Sequence, residues 1–121
     1  MLRLLSLLAL ALLIAPSAFA AGDAAAGKKN FDVLCFTCHG SAGKGDGPAG
    51  AALNPPPRNF AKGDFKFDAN KDGKAGEDAD LKLVIKNGAG AYGGNPAMAP
   101  WGHLADKDID DLIAYVHSLK K

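Results

Sequence analysis

The five residues Cys35-Phe36-Thr37-Cys38-His39 carry the most chemistry in the chain. Two thiols three positions apart can each add across a vinyl group of a haem, and the imidazole that follows is then held against the iron as an axial ligand. Other chemistries use the same residue types. Cys35, Cys38 and His39 with a distant histidine would satisfy a tetrahedral N/S zinc site. A Cys-x-x-Cys beside a βαβ unit would suit a dithiol oxidoreductase. The zinc reading leaves the aromatic and glycine-rich loops without a purpose, and no βαβ pattern is visible. The residues therefore favour covalent capture of one haem.

An iron held by one imidazole takes a second axial ligand. Apart from Met1, Met98 is the only methionine, and it lies in a loop between Pro96 and Pro100. A thioether paired with histidine favours ferrous iron and raises the reduction potential, which suits electron transfer. Methionine is also common core filler, but a loop between two prolines is an odd place for it. His103 and His117 are rival ligands. The first is near Met98, and the second falls in the last turn of the final helix, where it faces solvent or caps carbonyls. Arg58 suits a haem propionate through a charge-assisted fork, with plain solvation as the alternative. Tyr92 and Trp101 suit the haem edge, or ordinary core packing. A carbonyl of the proline-rich loop (Pro48, Pro55, Pro56, Pro57) would fix the tautomer of His39 through its other ring nitrogen. Asp68-x-Asn70-x-Asp72-Gly73 opens like a calcium loop, but the twelfth position is Ala79 and not glutamate. A polar surface turn is the expectation there.

These residues need elements to position them. Gly27 to Cys38 predicts a helix that starts near Asp23, with Phe31, Leu34 and Cys35 on one face. Gly40 to Pro57 is rich in Gly, Pro and Ala and predicts a loop with a short helical turn at Ala49 to Leu53. Phe60, Phe65 and Phe67 follow in an irregular segment. Asp80 is placed to cap a second helix with Leu81, Val84 and Ile85 on its apolar face, ending at Asn87-Gly88. A second Gly/Pro-rich loop, Gly88 to Trp101, carries Tyr92, Met98 and Trp101. Asp106 to Lys120 predicts the clearest helix, with Ile109, Leu112, Ile113, Val116 and Leu119 on one stripe and acids in its first turn. No alternating pattern is long enough for a sheet. The expected fold is all-α, loop-rich and wrapped around its cofactor.

The N-terminus bears on compartment. Met1-Leu2-Arg3, an apolar run from Leu4 to Ile14 broken only by Ser6, and Ala18-Phe19-Ala20 together read as a cleaved export signal, residues 1–20. The run is shorter than the roughly 20 apolar residues of a spanning helix. Cleavage would leave a single domain, 21–121, and remove Arg3, so that 13 basic and 13 acidic side chains remain. That balance argues against nucleic acid as a partner. The lysines nevertheless concentrate between Lys28 and Lys86, while Asp106, Asp108, Asp110 and Asp111 lie together, a dipolar pattern that can orient a protein partner. A domain of this size is marginal on its own apolar core. The two cysteines are too close to staple it, and a haem would supply a large apolar surface to wrap.

Taken together, these segments resemble the class I (monohaem) cytochromes c, specifically the small bacterial periplasmic members. Gly27-x-x-x-Phe31 matches the family's first helix, Cys35-x-x-Cys38-His39 its haem site, Met98 its distal ligand and Leu112-Ile113-Ala114-Tyr115 its last helix. Gly45-Asp46-Gly47-Pro48, Pro57-Arg58-Asn59-Phe60 and Met98-Ala99-Pro100-Trp101 are similar to stretches of bacterial cytochromes. The resemblance implies a haem-wrapping fold in which Gly27 lets the terminal helices cross tightly beside Phe31 and Tyr115. The charged insert Asp68 to Asp80 and the Gly88 to Gly94 loop depart from common relatives. The expected function is that of a monomeric periplasmic electron carrier, not an enzyme, docking transiently with redox proteins. Two alternatives use the same site. One is a haem protein with a displaceable sixth ligand that binds gas or peroxide; the other is a permanent electron-transfer subunit of a larger complex.

Overall fold

The computed structural model describes residues 22–121; the expected export signal lies outside them. Four helices in chain order are α1 (Ala24–Leu34), α2 (Phe36–His39), α3 (Asp78–Asn87) and α4 (Asp106–Ser118). Single 3-10 turns occupy Phe60–Lys62 and Ala89–Tyr92, and there is no strand among the described residues. The fold is all-α.

The terminal helices make the frame, since α1 packs on α4 more extensively than any other pair of elements packs. Asp23 starts α1 by accepting the N–H groups of Ala25 and Ala26 at 2.9 and 3.2 Å, satisfying two otherwise orphaned donors. Its own N–H donates to Asp111 Oδ1 at 2.7 Å, which fastens the start of α1 to the middle of α4. At the crossing, Gly27 faces the backbone of Asp111 and Leu112, and a Cβ there would fall inside the Asp111 carbonyl. Only glycine permits that approach. Beside it the rings of Phe31 and Tyr115 meet edge to face, with centroids 5.0 Å apart.

The first helix begins three residues earlier than the sequence predicts and breaks at Cys35. There the backbone turns (φ −118°), and a four-residue helix then carries Cys38 and His39. The predicted helical turn at Ala49 to Leu53 is instead a run of turns closed by Gly50 N–H to Gly47 O and Leu53 N–H to Gly50 O. Helix α3 starts at Asp78, capped by Glu77 and not by Asp80. Asp80 is the third helical residue and reaches back to accept from Glu77 N–H at 3.0 Å, completing a reciprocal capping box. It also accepts from Asn70 N–H at 3.1 Å, so this carboxylate is buried yet fully engaged.

The core falls in two clusters. Leu81, Ile109, Ile113 and Val116 form one, and Phe31, Leu112 and Tyr115 the other; Phe60 and Leu104 pack against both. The predicted α4 stripe is thus the core itself, except that Leu119 is only half-buried. Asp68 to Gly73 forms the expected polar turn. Its carboxylate and amide oxygens are taken by the turn's own N–H groups, Gly73 to Asp68 Oδ2 at 2.9 Å among them.

Candidate haem site

Helix α2 is held in place by the loop that follows it. The N–H groups of Gly45, Gly47 and Ala49 donate to the carbonyls of His39, Cys38 and Thr37 at 2.8–3.1 Å, satisfying the helix's C-terminal acceptors. This presents Cys35, Cys38 and His39 to one side. All three line a cavity of about 450 Å³, together with apolar side chains of α1, α3 and α4 such as Phe31, Leu81, Val84, Ile85, Leu112 and Val116. Both thiols are free and half-buried. Burial and the neighbouring Cys38 push the Cys35 thiol up to about 11, so it stays protonated at neutral pH.

His39 is buried, and desolvation holds its pKa below the usual histidine value, opposed by a backbone hydrogen bond. That bond runs from Nδ1 to the carbonyl oxygen of Arg58 at 3.2 Å. The supporting carbonyl therefore belongs to the residue after the proline run, and not to Pro48, Pro55, Pro56 or Pro57. Proline's fixed φ makes these residues the rigid approach, and Arg58 is the first residue past it. With Nδ1 as donor, Nε2 of a neutral imidazole is left with a free lone pair for a metal.

The Met98 loop reaches the same cavity from the other end of the chain. Gly88 ends α3 at φ +81°, and its missing side chain makes room for the Met98 carbonyl. Asn95 then organises the turn, with its Oδ1 accepting from Ala97 N–H at 2.9 Å and its carbonyl from Met98 N–H at 3.1 Å. Its side-chain amide donates to Pro55 O at 3.1 Å, joining the two long loops across the chain. Trp101 N–H returns to Ile85 O at 2.8 Å.

Of the other residues singled out by sequence, Arg58 and Trp101 line the cavity. Tyr92, expected at the haem edge, does not; its hydroxyl instead accepts from Asn87 Nδ2 at 2.7 Å. Tyr92 is the last residue of the short 3-10 turn Ala89–Tyr92. The rival ligands are also elsewhere. His103 is exposed beside Trp101, and His117 pairs with Asp78 at 2.6 Å. Sequence reasoning missed Phe60, whose ring stacks on His39 at 4.5 Å. Its signal was the adjacency to Arg58, which only the loop's path reveals.

A chemically apolar cavity of this size, with two thiols, a lone-pair imidazole nitrogen and a thioether on its walls, fits a haem. No group of three or more His, Cys, Asp or Glu residues among those described is arranged to hold a bare metal ion. Fold and site together define an all-α haem protein of the electron-transfer class. The family model for cytochrome c matches residues 24–120, and the chain belongs to that family, with covalently bound haem c as its cofactor. It is 37% identical to cytochrome c-554(547) of Halothiobacillus neapolitanus over 103 residues, covering 83% of this chain and all of that one. It is 33% identical to the FixP subunit of the cbb3-type cytochrome c oxidase of Azorhizobium caulinodans, covering 85% of this chain but 30% of that subunit. A chain of the reducing HAO-like protein complex of Kuenenia stuttgartiensis shares the fold with a TM-score of 0.68 at 28% identity, covering 83% of this chain and 44% of its own.

Proposed function

We propose that the protein is a soluble periplasmic electron carrier in which Cys35 and Cys38 form the thioether links, His39 and Met98 are the axial ligands, and redox partners dock transiently. The observation that carries this reading is the convergence of all four side chains on one apolar cavity. Bound haem c supplies an iron that changes by one electron. His39 and Met98 would hold the iron of a bound haem from the cavity wall, which leaves electron transfer as the chemistry and calls for no substrate site. The Arg58 carbonyl fixes the tautomer of His39. Leu81, Val84, Ile85 and Val116 limit the access of water, which together with the thioether favours a high potential. Arg58, whose guanidinium lies 3.9 Å from Asp64, and Trp101 both line the cavity and would offer their N–H groups to the propionates.

Export follows from the leader read in residues 1–20. Among the described residues no helix is long and apolar enough to cross a membrane. Exposed charge of both signs supports a protein partner that docks electrostatically. Lys82, Lys86 and Lys107 pair with Asp106, Asp110 and Asp111, so much of the acidic cluster is answered within the chain. Among the described residues Lys44, Lys62, Lys120 and Lys121 make no ion pair. Such exposed charge steers encounter and permits quick release.

A second reading, a permanent subunit of a larger assembly, has its own support. Val33 and Phe36, on either side of Leu34-Cys35, are 78% and 39% exposed. Two of the similar proteins are parts of complexes. Gel filtration of native extract separates the two, with elution at the monomer position expected for a carrier.

The ligand assignment is tested by the optical spectrum of the exported ferric protein. A weak far-red band is expected in the parent and absent in Met98→Ala, whose potential also falls. Absence of the band from the parent would show that Met98 is not a ligand.

A further inference from the structure

Phe60 is the aromatic residue placed most closely against the proposed iron ligand. Its ring lies face to face with the His39 imidazole, with centroids 4.5 Å apart and planes 18° from parallel. The neighbouring aromatic contacts are tilted or edge-on: Phe31 meets His39 at 48° and Phe60 at 66°. Phe60 is also well anchored. Its N–H donates to Gly43 O at 2.7 Å, its carbonyl accepts from Gly63 N–H at 3.1 Å, and its side chain packs on both core clusters. Asn59 just before it caps the 3-10 turn that Phe60 begins. Arg58, two residues earlier, supplies the carbonyl at His39 Nδ1. Three consecutive residues thus meet the imidazole twice, at its edge and on its face.

The two contacts do different things. A hydrogen bond to a carbonyl tolerates a broad range of directions, so the Arg58 contact alone lets the ring rock about the Nδ1–O line. A ring stacked on the face blocks that motion, because rocking would drive imidazole atoms into the phenyl. We propose that Phe60 is a positioning residue for His39, setting the plane of the imidazole and hence its orientation toward the haem. This rests on the reading of His39 as an axial ligand. Phe60 also turns the negative face of its π system to a ring that becomes more positive when the iron is oxidised. Stacking therefore favours the ferric state.

The test uses the exported holoprotein and proton NMR of its ferric form, in which the shifts of the haem methyl groups report the axial imidazole plane. Phe60→Leu removes the stack, Phe60→Tyr keeps it, and Ile113→Val trims a buried side chain outside the cavity. The expected result is an altered order or spread of the methyl shifts and a raised potential in Phe60→Leu alone. Ile113→Val should lower stability and leave the shifts unchanged. Superimposable shifts in Phe60→Leu and the parent would overturn the inference, as would an equal change in Ile113→Val. Should Phe60→Leu not fold, nuclear Overhauser contacts between the two rings in the unaltered reduced protein decide the matter, and their absence overturns it. A parent lacking a hyperfine-shifted ring nitrogen from ¹⁵N-labelled His39 would instead withdraw the ligand assignment, and the inference with it.

Discussion

The crossing of α1 and α4 and the two loops that close the cavity are built on different physics. At the crossing, backbone meets backbone: Gly27 lies on Asp111, and Phe31, Leu112 and Tyr115 fill the space beside them. Its stability comes from continuous apolar burial. The loops hold few large buried side chains and are fixed instead by single hydrogen bonds, such as Asn95 to Pro55 and Trp101 to Ile85. Yet the loops carry Met98 and the support for His39. The chain separates a frame that tolerates no change in volume from a cage whose candidate ligands are positioned by a few polar contacts.

Gly27→Ala should break the frame. A Cβ inside the Asp111 carbonyl forces the helices apart, at a cost of about 3 kcal/mol, read by denaturant unfolding of the holoprotein. Asn95→Ala should loosen only the cage, costing about 2 kcal/mol for two lost side-chain hydrogen bonds. Its larger signature should be faster loss of the far-red band on warming, ahead of helix unfolding followed by circular dichroism. Simultaneous loss of both signals in Asn95→Ala would mean that frame and cage unfold as one unit, contrary to the contrast drawn.

A third and smaller effect tests how charge joins the two ends of the frame. The Lys107 ammonium and then the Asp23 N–H hold the Asp111 carboxyl below its ordinary value of 3.8. Because the folded pKa is the depressed one, this contribution to stability is complete above the unfolded value, about pH 4. It is lost as pH falls through the folded pKa. Melting temperature should therefore drop on acidification below about pH 4, and Asp111→Asn should be less stable at neutral pH with a shallower acid limb. An acid limb as steep in the variant as in the parent would assign the effect to other carboxylates.

The frame was the more legible half. Apolar spacing at 3.6 residues showed α4 and the apolar face of α3, because helical periodicity is a local property of sequence; the crossing at Gly27 beside Phe31 and Tyr115 was implied by the resemblance to the cytochromes c. Boundaries were less visible. The α3 cap moves from Asp80 to Glu77 while the Asp80 carboxylate accepts from the distant Asn70 N–H, and no residue type marks the break at Cys35. In the cage, residue types were readable and directions were not. Cys35, Cys38, His39 and Met98 were marked by their chemistry, and all four line the cavity together with Trp101 and Arg58. Tyr92 is bonded to Asn87 and does not line the cavity, and the carbonyl on His39 comes from Arg58, since a loop's path follows turn geometry that composition does not specify.

The central claim is that His39 and Met98 together close both axial positions of the iron in an electron carrier. Mixing the reduced protein with carbon monoxide at neutral pH tests it most directly. The ferrous spectrum of the parent should show no rapid change, and Met98→Ala should bind carbon monoxide readily. Fast stoichiometric binding by the parent would contradict it and favour a haem with a displaceable sixth ligand.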